Sequence, residues 1–247
     1  MKTLIVIPAR YESSRFEGKP LVEIAGKSMI QRVYEQAKAC NLASDVVVAT
    51  DDKRIFDHVK SFGGGVKMTS KEHQSGTDRC AEVAVEFPDC DLVINVQGDE
   101  PFIQPEQIDE LIQFLIDNAD LDIATQKKKI SDSDDLFSPN VVKVTSTTDH
   151  RALYFSRAPI PYFRGLLGDD WCKKCDYFKH IGIYGFKKEV LIQVHHLPVS
   201  NLEKTESLEQ LRWLENGYTI GVMETNFTSI GIDTPGDLKK IQPFLTS

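Results

Sequence analysis

Apolar runs alternating with amphipathic stretches set the pattern of the first half of the chain. Leu4-Ile5-Val6-Ile7 is fully apolar and is stopped by Pro8, which reads as a buried central strand. A polar loop runs from Ala9 to about Pro20. Ser28 then caps a helix whose apolar positions are Met29, Ile30, Val33 and Ala37. Val46-Val47-Val48-Ala49-Thr50 is a second buried strand, and Asp51-Asp52 opens a helix carrying Ile55, Phe56 and Val59. Gly63-Gly64-Gly65 breaks that helix ahead of a short strand, Val66-Lys67-Met68. A polar loop, Thr69 to Thr77, leads into a helix beginning near Asp78, with Thr77 or Asp78 as its cap. Leu92-Val93-Ile94-Asn95-Val96 is the fourth strand, and Pro105 starts a helix with Ile108, Leu111, Ile112 and Leu115 on one face. Strands alternating with helices at this rhythm predict βαβ units, right-handed crossovers and a parallel sheet.

The second half is more mixed. Its candidate strands are Val141 to Val144, His180 to Phe186 and Thr219 to Val222. Its candidate helices are Lys188 to His195, Glu206 to Glu215 and Thr234 to Ile241. Ala158-Pro159-Ile160-Pro161-Tyr162 fits neither an interior strand nor an interior helix. With no repeat, low-complexity tract or composition shift, one α/β domain over 1–247 is expected, with a mixed sheet extension in the second half.

Charge narrows the function classes. The 247 residues hold 29 Lys plus Arg against 37 Asp plus Glu, a net charge of −8. This excludes nucleic-acid binding through diffuse positive charge but leaves room for a small basic pocket. No apolar run approaches the ~18 residues of a membrane span, and Leu4 to Ile7 is too short for a secretory signal. Five cysteines is an odd number that argues against a disulfide framework. Cys172 and Cys175 form a CxxC without two further ligands at zinc spacing, and so read as free thiols. Cytoplasmic residence is the expectation.

Ligands of open parallel sheets bind beyond the carboxyl ends of the strands, and four polar segments fall there or can be brought there. In Pro8 to Pro20, Arg10, Arg15 and Lys19 place three cations within ten residues of an acidic chain. A polyanion such as a triphosphate makes that clustering useful; the bland alternative is a solvated basic loop. The spacing is not that of a Walker A loop. In Gln97-Gly98-Asp99-Glu100-Pro101, a strand-end carboxylate beside a glycine suits Mg²⁺, which takes one or two carboxylates plus substrate phosphates; an exposed acidic turn is the alternative. In His73-Gln74-Ser75-Gly76-Thr77-Asp78-Arg79, Ser75 and Gly76 offer a base-sized slot. In Gly231-Ile232-Asp233-Thr234-Pro235-Gly236-Asp237, Thr234 and Asp237 read as a capping box with Pro235 at the first helical position. Asp233 precedes the cap and is left to bind a cation.

These segments, with Tyr154-Phe155-Ser156-Arg157-Ala158-Pro159-Ile160-Pro161, Lys179-His180-Ile181-Gly182-Ile183-Tyr184 and Glu206-Ser207-Leu208-Glu209-Gln210-Leu211-Arg212, resemble in order the CMP-Kdo synthetases. These are the 3-deoxy-manno-octulosonate (Kdo) cytidylyltransferases. The opening Ile7-Pro8-Ala9-Arg10-Tyr11, Ser14-Arg15 and Gly18-Lys19-Pro20-Leu21 are part of the match. One departure is Phe16-Glu17, where the family often has Leu-Pro; Glu17 is expected to point outward. The resemblance implies a Rossmann-like, mostly parallel sheet flanked by helices, of the nucleotide-diphospho-sugar transferase type. It implies activation of Kdo with CTP for lipopolysaccharide assembly, releasing pyrophosphate, in a homodimer.

Residue by residue, the resemblance implies that Arg10 and Lys19 hold the triphosphate with Arg15 nearby, that Pro8 and Ala9 belong to the nucleotide site, and that Ser75, Gly76 and Arg79 frame the cytosine. It places Gln97 between nucleotide and sugar, Asp99 and Asp233 on Mg²⁺, and Arg157, His180, Tyr184, Glu209 and Gln210 around the sugar acid. The plainer alternatives are a core aromatic for Tyr184, an exposed helix charge for Glu209 and a hydrogen-bonded strand histidine for His180. The reaction is a direct displacement that needs positioning and charge neutralisation rather than a protein nucleophile. A cytidylyltransferase for sialic or other nonulosonic acids, and a non-catalytic nucleotide-sensing module, are the rival readings.

Overall fold

Strand β1 (Thr3–Ala9) forms where the apolar run predicts it, with Ile5, Val6 and Ile7 fully buried. The computed structural model describes residues 1–12, 16–228 and 231–240. After β1 come a small hairpin, β2 (Glu23–Ile24) and β3 (Lys27–Ser28), then α1 (Met29–Lys38), β4 (Asp45–Thr50), α2 (Lys53–Ser61) and β5 (Val66–Met68). Next are α3 (Gly76–Val85), β6 (Leu92–Asn95), α4 (Pro105–Asp117), β7 (Ile123–Ile130), α5 (Ser133–Phe137), β8 (Lys143–Ser146) and β9 (Ala152–Ser156). The described chain ends with α6 (Trp171–Lys174), β10 (Tyr177–Lys187), α7 (Lys188–His195), α8 (Asn201–Glu206), α9 (Gln210–Glu215), β11 (Ile220–Glu224) and α10 (Asp237–Lys240).

The chain separates into two compact units. The first comprises Met1–Gln113, Gly185–His195 and the described residues from 227 onward; the second comprises Phe114–Tyr184 and His196–Asn226. The path enters and leaves the second unit twice, so no single linker could mark the division in composition.

In the first unit β6, β1, β4 and β5 lie side by side and parallel. This is the expected Rossmann-like pattern. In β1, β4 and β6 the side chains face protein on both sides, which is why these strands read as apolar runs rather than alternating ones, whereas β5 at the sheet edge leaves Met68 exposed. Helices α1 and α3 bury Ile30, Val33, Val83 and Ala84, while Met29 joins a smaller cluster with Ile24 and Ile232. Ser28 caps α1 by accepting from Gln31 N at 3.2 Å, and Asp52 caps α2.

The second unit is the mixed extension. Here β7 and β11 are parallel, and β8 pairs antiparallel with both β9 and β10. Its satellite core gathers Ile130, Leu136, Trp171 and Tyr177, with Cys172 and Cys175 packed against it. The CxxC thiols are therefore packing groups.

Several expected boundaries move. Strands β7 and β9 arise where no strand is predicted, and β8 begins two residues after Val141. The expected helix from Glu206 to Glu215 is two helices, because Ser207 sits in the left-handed region at φ 52°. The cap of α3 is Ser75, not Thr77 or Asp78. Its hydroxyl accepts from Asp78 N while the Asp78 carboxylate accepts from Ser75 N, a full capping box. The last helix starts at Asp237, not near Thr234: the Asp237 carboxylate accepts from the backbone N–H groups of Asp233 and Thr234 and from the Thr234 hydroxyl, closing a turn before the helix.

Candidate active site

The carboxyl ends of β1 and β6 carry one cluster. Pro8 and Ala9 end β1, and Arg10 begins an exposed loop. Gly18 N–H donates to Tyr11 O at 2.9 Å, and Gly18 holds φ 70°. A β-carbon at Gly18 would lie 3.2 Å from the Tyr11 ring, which also carries the Arg54 guanidinium 3.2 Å from its centroid. Gly18 is thereby fixed against Tyr11, and Lys19, the next residue, is delivered to the strand ends. Its ammonium donates to Asp99 at 2.7 Å and to Asp233 at 3.3 Å.

Glycines let the remaining segments approach. A β-carbon on Gly98 would meet Pro8 O at 2.7 Å, and one on Gly76 would meet Pro8 Cγ at 3.1 Å. Gln97, Gly98 and Asp99 can therefore lie directly against the end of β1. Asp233 arrives by a hydrophobic anchor. Ile232 is fully buried with Ile24 and Met29, and its N–H donates to Asp99 O at 3.0 Å. The next residue is thus held beside Asp99 while remaining half exposed. Pro8, Ala9, Arg10, Lys19, Gln97, Asp99 and Asp233 line a cavity of about 440 Å³. Seven of the expected residues are brought together.

A smaller cavity of about 140 Å³ shares Arg10 and is bounded by Tyr11, Asp51, Lys71, His73 and Arg79. Arg79 is 1% exposed; it pairs with Asp51 at 2.7 Å and donates to the Thr69 hydroxyl and Ser70 O. Ser75 is engaged in capping. Arg15 lies outside the described residues, and Glu17 is exposed as expected.

The second cluster lies in the second unit and is built differently. His180 and Tyr184, four residues apart on β10, share one face of the strand. Their rings lie 5.3 Å apart, with Phe155 edge-on to His180 and Trp213 edge-on to Tyr184. The Thr125 hydroxyl donates to Ile183 O at 2.7 Å and so accepts from His180 Nε2 at 2.9 Å. The Nε2–H tautomer fits this arrangement. The ring keeps some solvent contact but is surrounded by protein, and desolvation pushes its pKa down to about 3. Burial, with the Glu209 charge second, pushes the Tyr184 phenol well above its usual range. Glu209 accepts from Arg212 at 2.7 Å, and Gln210 beside it is buried.

Arg157 belongs to this unit but is heavily engaged. Its guanidinium donates to the carbonyls of Glu206, Pro139 and Ser207 at 2.7, 2.9 and 3.3 Å. Its N–H donates to the Glu206 carboxylate, which also accepts from the Ser156 hydroxyl.

Comparison with known proteins identifies the arrangement. The cytidylyltransferase family profile matches residues 4–224. A 3-deoxy-manno-octulosonate cytidylyltransferase from Geotalea daltonii is 50% identical, over 98% of this chain and 97% of its own. The chain belongs to the 3-deoxy-manno-octulosonate cytidylyltransferases. A member from Parabacteroides distasonis is likewise 50% identical, over 100% of this chain and 99% of its own. A solved structure of CMP:2-keto-3-deoxy-manno-octonic acid synthetase complexed with CTP superposes with a TM-score of 0.92 at 44% identity, covering 100% of this chain and 99% of that one.

Sequence reasoning passed over several residues of this cytidylyltransferase. Glu12 lines both cavities of the first unit, and no motif signals it. Thr125, Phe155 and Trp213 support the aromatic cluster of the second, but their apolar or β-branched character reads as ordinary core.

Proposed function

We propose that the chain transfers the cytidylyl group of CTP to the anomeric hydroxyl of Kdo, giving CMP-Kdo and pyrophosphate for lipopolysaccharide assembly. The observation that carries this reading is the Lys19 ammonium held between Asp99 and Asp233 beside Arg10, at the carboxyl ends of parallel strands. Cations there meet a triphosphate, and the two carboxylates already converge on one positive charge.

That convergence is the test of fit for Mg²⁺. An oxygen pair able to share one cation, open toward a cavity, suits an ion that draws its other ligands from phosphate and water. Asp99 and Asp233 would hold it, and when bound it supplies charge neutralisation at the reacting phosphates.

The rest of the chemistry belongs to the side chains. Arg10 and Lys19 bind and orient the triphosphate, and Gln97 borders it. Ser75, Gly76 and Arg79 shape the end that takes the base. His180, Tyr184, Glu209 and Gln210 receive the sugar acid. His180, neutral at working pH, presents a fixed hydrogen-bonding edge rather than a base. The sugar oxygen forms its bond to the α-phosphorus, the bond from that phosphorus to the bridging oxygen breaks, and the hydroxyl proton leaves to water. Arg10 and Lys19 offset the charge that builds on departing pyrophosphate.

Homodimer formation is part of the proposal; the exposed apolar Tyr162 and Leu167 support it, and light scattering measures it. A cytoplasmic setting suits the five free thiols. Among the described residues no helix is long and apolar enough to cross a membrane.

Pyrophosphate release tests the reading directly. Release from CTP and Mg²⁺ that depends on Kdo is the expected result. Dependence on a sialic acid instead, or CTP binding without release under any acceptor, overturns it.

A further inference from the structure

Lys143 on β8 is 0% exposed, yet carries an ammonium. All three of its donors are taken by carbonyls: Ser138 O at 2.8 Å, Val141 O at 2.6 Å and Arg157 O at 2.5 Å. A buried cation is costly unless its donors are satisfied, and here the satisfaction joins two segments, the 138–141 turn and the end of β9. Arg157 completes the arrangement from the other side. It donates to Pro139 O in the same turn, and to Glu206 O and Ser207 O where the chain breaks between α8 and α9.

That break is unusual. Ser207 is a non-glycine residue at φ 52°, a conformation that persists only where its surroundings hold it. Two of the carbonyls left by the end of α8 are taken by Arg157. Glu209 and Gln210 lie two and three residues further on. Three of the five guanidinium N–H groups are thus spent on backbone, in a geometry that fixes a turn.

We propose that Lys143 and Arg157 are positioning residues for the sugar acid, a pair of cations that sets the 206–207 turn and through it the placement of Glu209 and Gln210. Arg157 acts through the turn rather than by gripping the sugar carboxylate. The proposal rests on the reading that Glu209 and Gln210 receive the sugar.

The test uses the intact enzyme and two sugars, Kdo and its carboxamide, which lacks the carboxylate charge. Arg157→Lys is expected to raise the Kdo KM and the inhibition constant of the carboxamide by the same factor, about tenfold, with the CTP KM unchanged. A lysine lacks the planar guanidinium fork whose N–H groups reach the carbonyls of Glu206, Pro139 and Ser207 in different directions. Lys143→Met is expected to raise the Kdo KM by a similar factor while leaving the CTP KM alone. Lys143→Arg restores part of it, and the Lys143→Met, Arg157→Lys double variant is no worse than the poorer single one.

An Arg157→Lys effect confined to Kdo and absent for the carboxamide overturns the proposal in favour of a carboxylate grip. So does a folded Lys143→Met enzyme whose Kdo KM stays within twofold of wild type, or a loss of thermal stability with unchanged kinetics. Should Lys143→Met fail to fold, the two-sugar comparison on Arg157→Lys decides alone. Glu209→Gln and Gln210→Ala separate the underlying reading: if both leave the Kdo KM unchanged, the sugar-site assignment itself fails. If they raise it while the Lys143 and Arg157 variants do not, only the positioning proposal fails.

Discussion

The two clusters solve opposite problems. In the first unit the functional charges sit on short loops beyond strand ends. Lys19 is bonded to carboxylates that are themselves 29% and 49% exposed, so water and incoming ligands can compete for them. In the second unit His180 and Tyr184 are flanked by aromatic rings, Gln210 is buried, and Arg157 and Glu209 already hold named partners. The first cluster can exchange its internal ion pairs for phosphate oxygens and a metal. The second offers a fixed shape with fixed hydrogen-bonding edges. On the proposed function, charge that rearranges around a polyanion is kept loosely paired, and polar groups that discriminate one sugar are held by fixed partners.

The largest expected effect breaks this contrast at its charged end. Asp99→Asn should lower kcat by about a hundred- to a thousandfold, because charge neutralisation at the reacting phosphate is lost in the transition state. The fold should scarcely notice. The Lys19–Asp99 bridge is partly exposed, and such pairs contribute about 0–1 kcal/mol. Steady-state kinetics beside a urea titration checks both halves. Turnover within tenfold of wild type would remove Asp99 from the mechanism.

Lys19→Ala comes next. Deleting one charged donor should weaken CTP binding by roughly ten- to a hundredfold, read by calorimetry. Added salt should weaken wild-type CTP binding and matter less in the variant. Unchanged affinity together with normal turnover would return Lys19 to a solvated loop.

Legibility in the sequence follows the same division. Buried parallel strands write themselves as apolar runs, so β1, β4 and β6 stand where the pattern places them, and the short edge strand β5 follows the three glycines that announce it. Strand β7 does not, because its stretch Gln126-Lys127-Lys128-Lys129 reads as polar. Lys127 is nonetheless buried, its ammonium on the Ser146 hydroxyl and over the Phe178 ring. Cations gathered after a strand, and an acid after another, advertise a charged site from local sequence alone. The enclosed cluster has no such signature: Arg157 reads as a ligand-gripping cation, and only the placement of Pro139, Glu206 and Ser207 shows where its donors go. Asp233 is legible by elimination, but what holds it, Ile232 in the core and the backward reach of Asp237, is tertiary.

A steric substitution sharpens the comparison further. Gly98→Ala places a β-carbon 2.7 Å from Pro8 O, a contact that backbone must move to relieve. It should cost about 1–3 kcal/mol of stability and also lower kcat, since Asp99 is the next residue. Gly221→Ala, against Leu121 and Phe114 in the second unit, should cost comparable stability with kcat unchanged. Equal kinetic losses at both positions would show that turnover tracks general stability rather than the approach of Asp99 to β1.

The smallest effect concerns the enclosed cluster and is read as stability against pH. The folded His180 imidazole stays neutral down to about pH 3, whereas an unfolded histidine takes up its proton near 6.5. Between those values the unfolded chain holds one more proton than the folded one, so stability falls as pH falls from about 6.5 toward 3. The slope for one group is about 1.4 kcal/mol per pH unit. Allowing for the partial solvent contact of the ring, wild type should lose about 1–2 kcal/mol between pH 7 and pH 5 on this account. The carboxylate bonded to His195 titrates elsewhere. Burial pushes Asp78 up, but the bonds from His195 and Ser75 outweigh it and hold it below its ordinary 3.8. Its stabilisation is therefore complete at pH 5 and is lost only in stronger acid. His180→Gln keeps a donor for the Thr125 hydroxyl and removes the titration. Urea unfolding at pH 7 and pH 5 should then show a flatter dependence in the variant than in wild type. Parallel slopes would mean that the folded imidazole protonates freely, and that the second cluster is as open to water as the first.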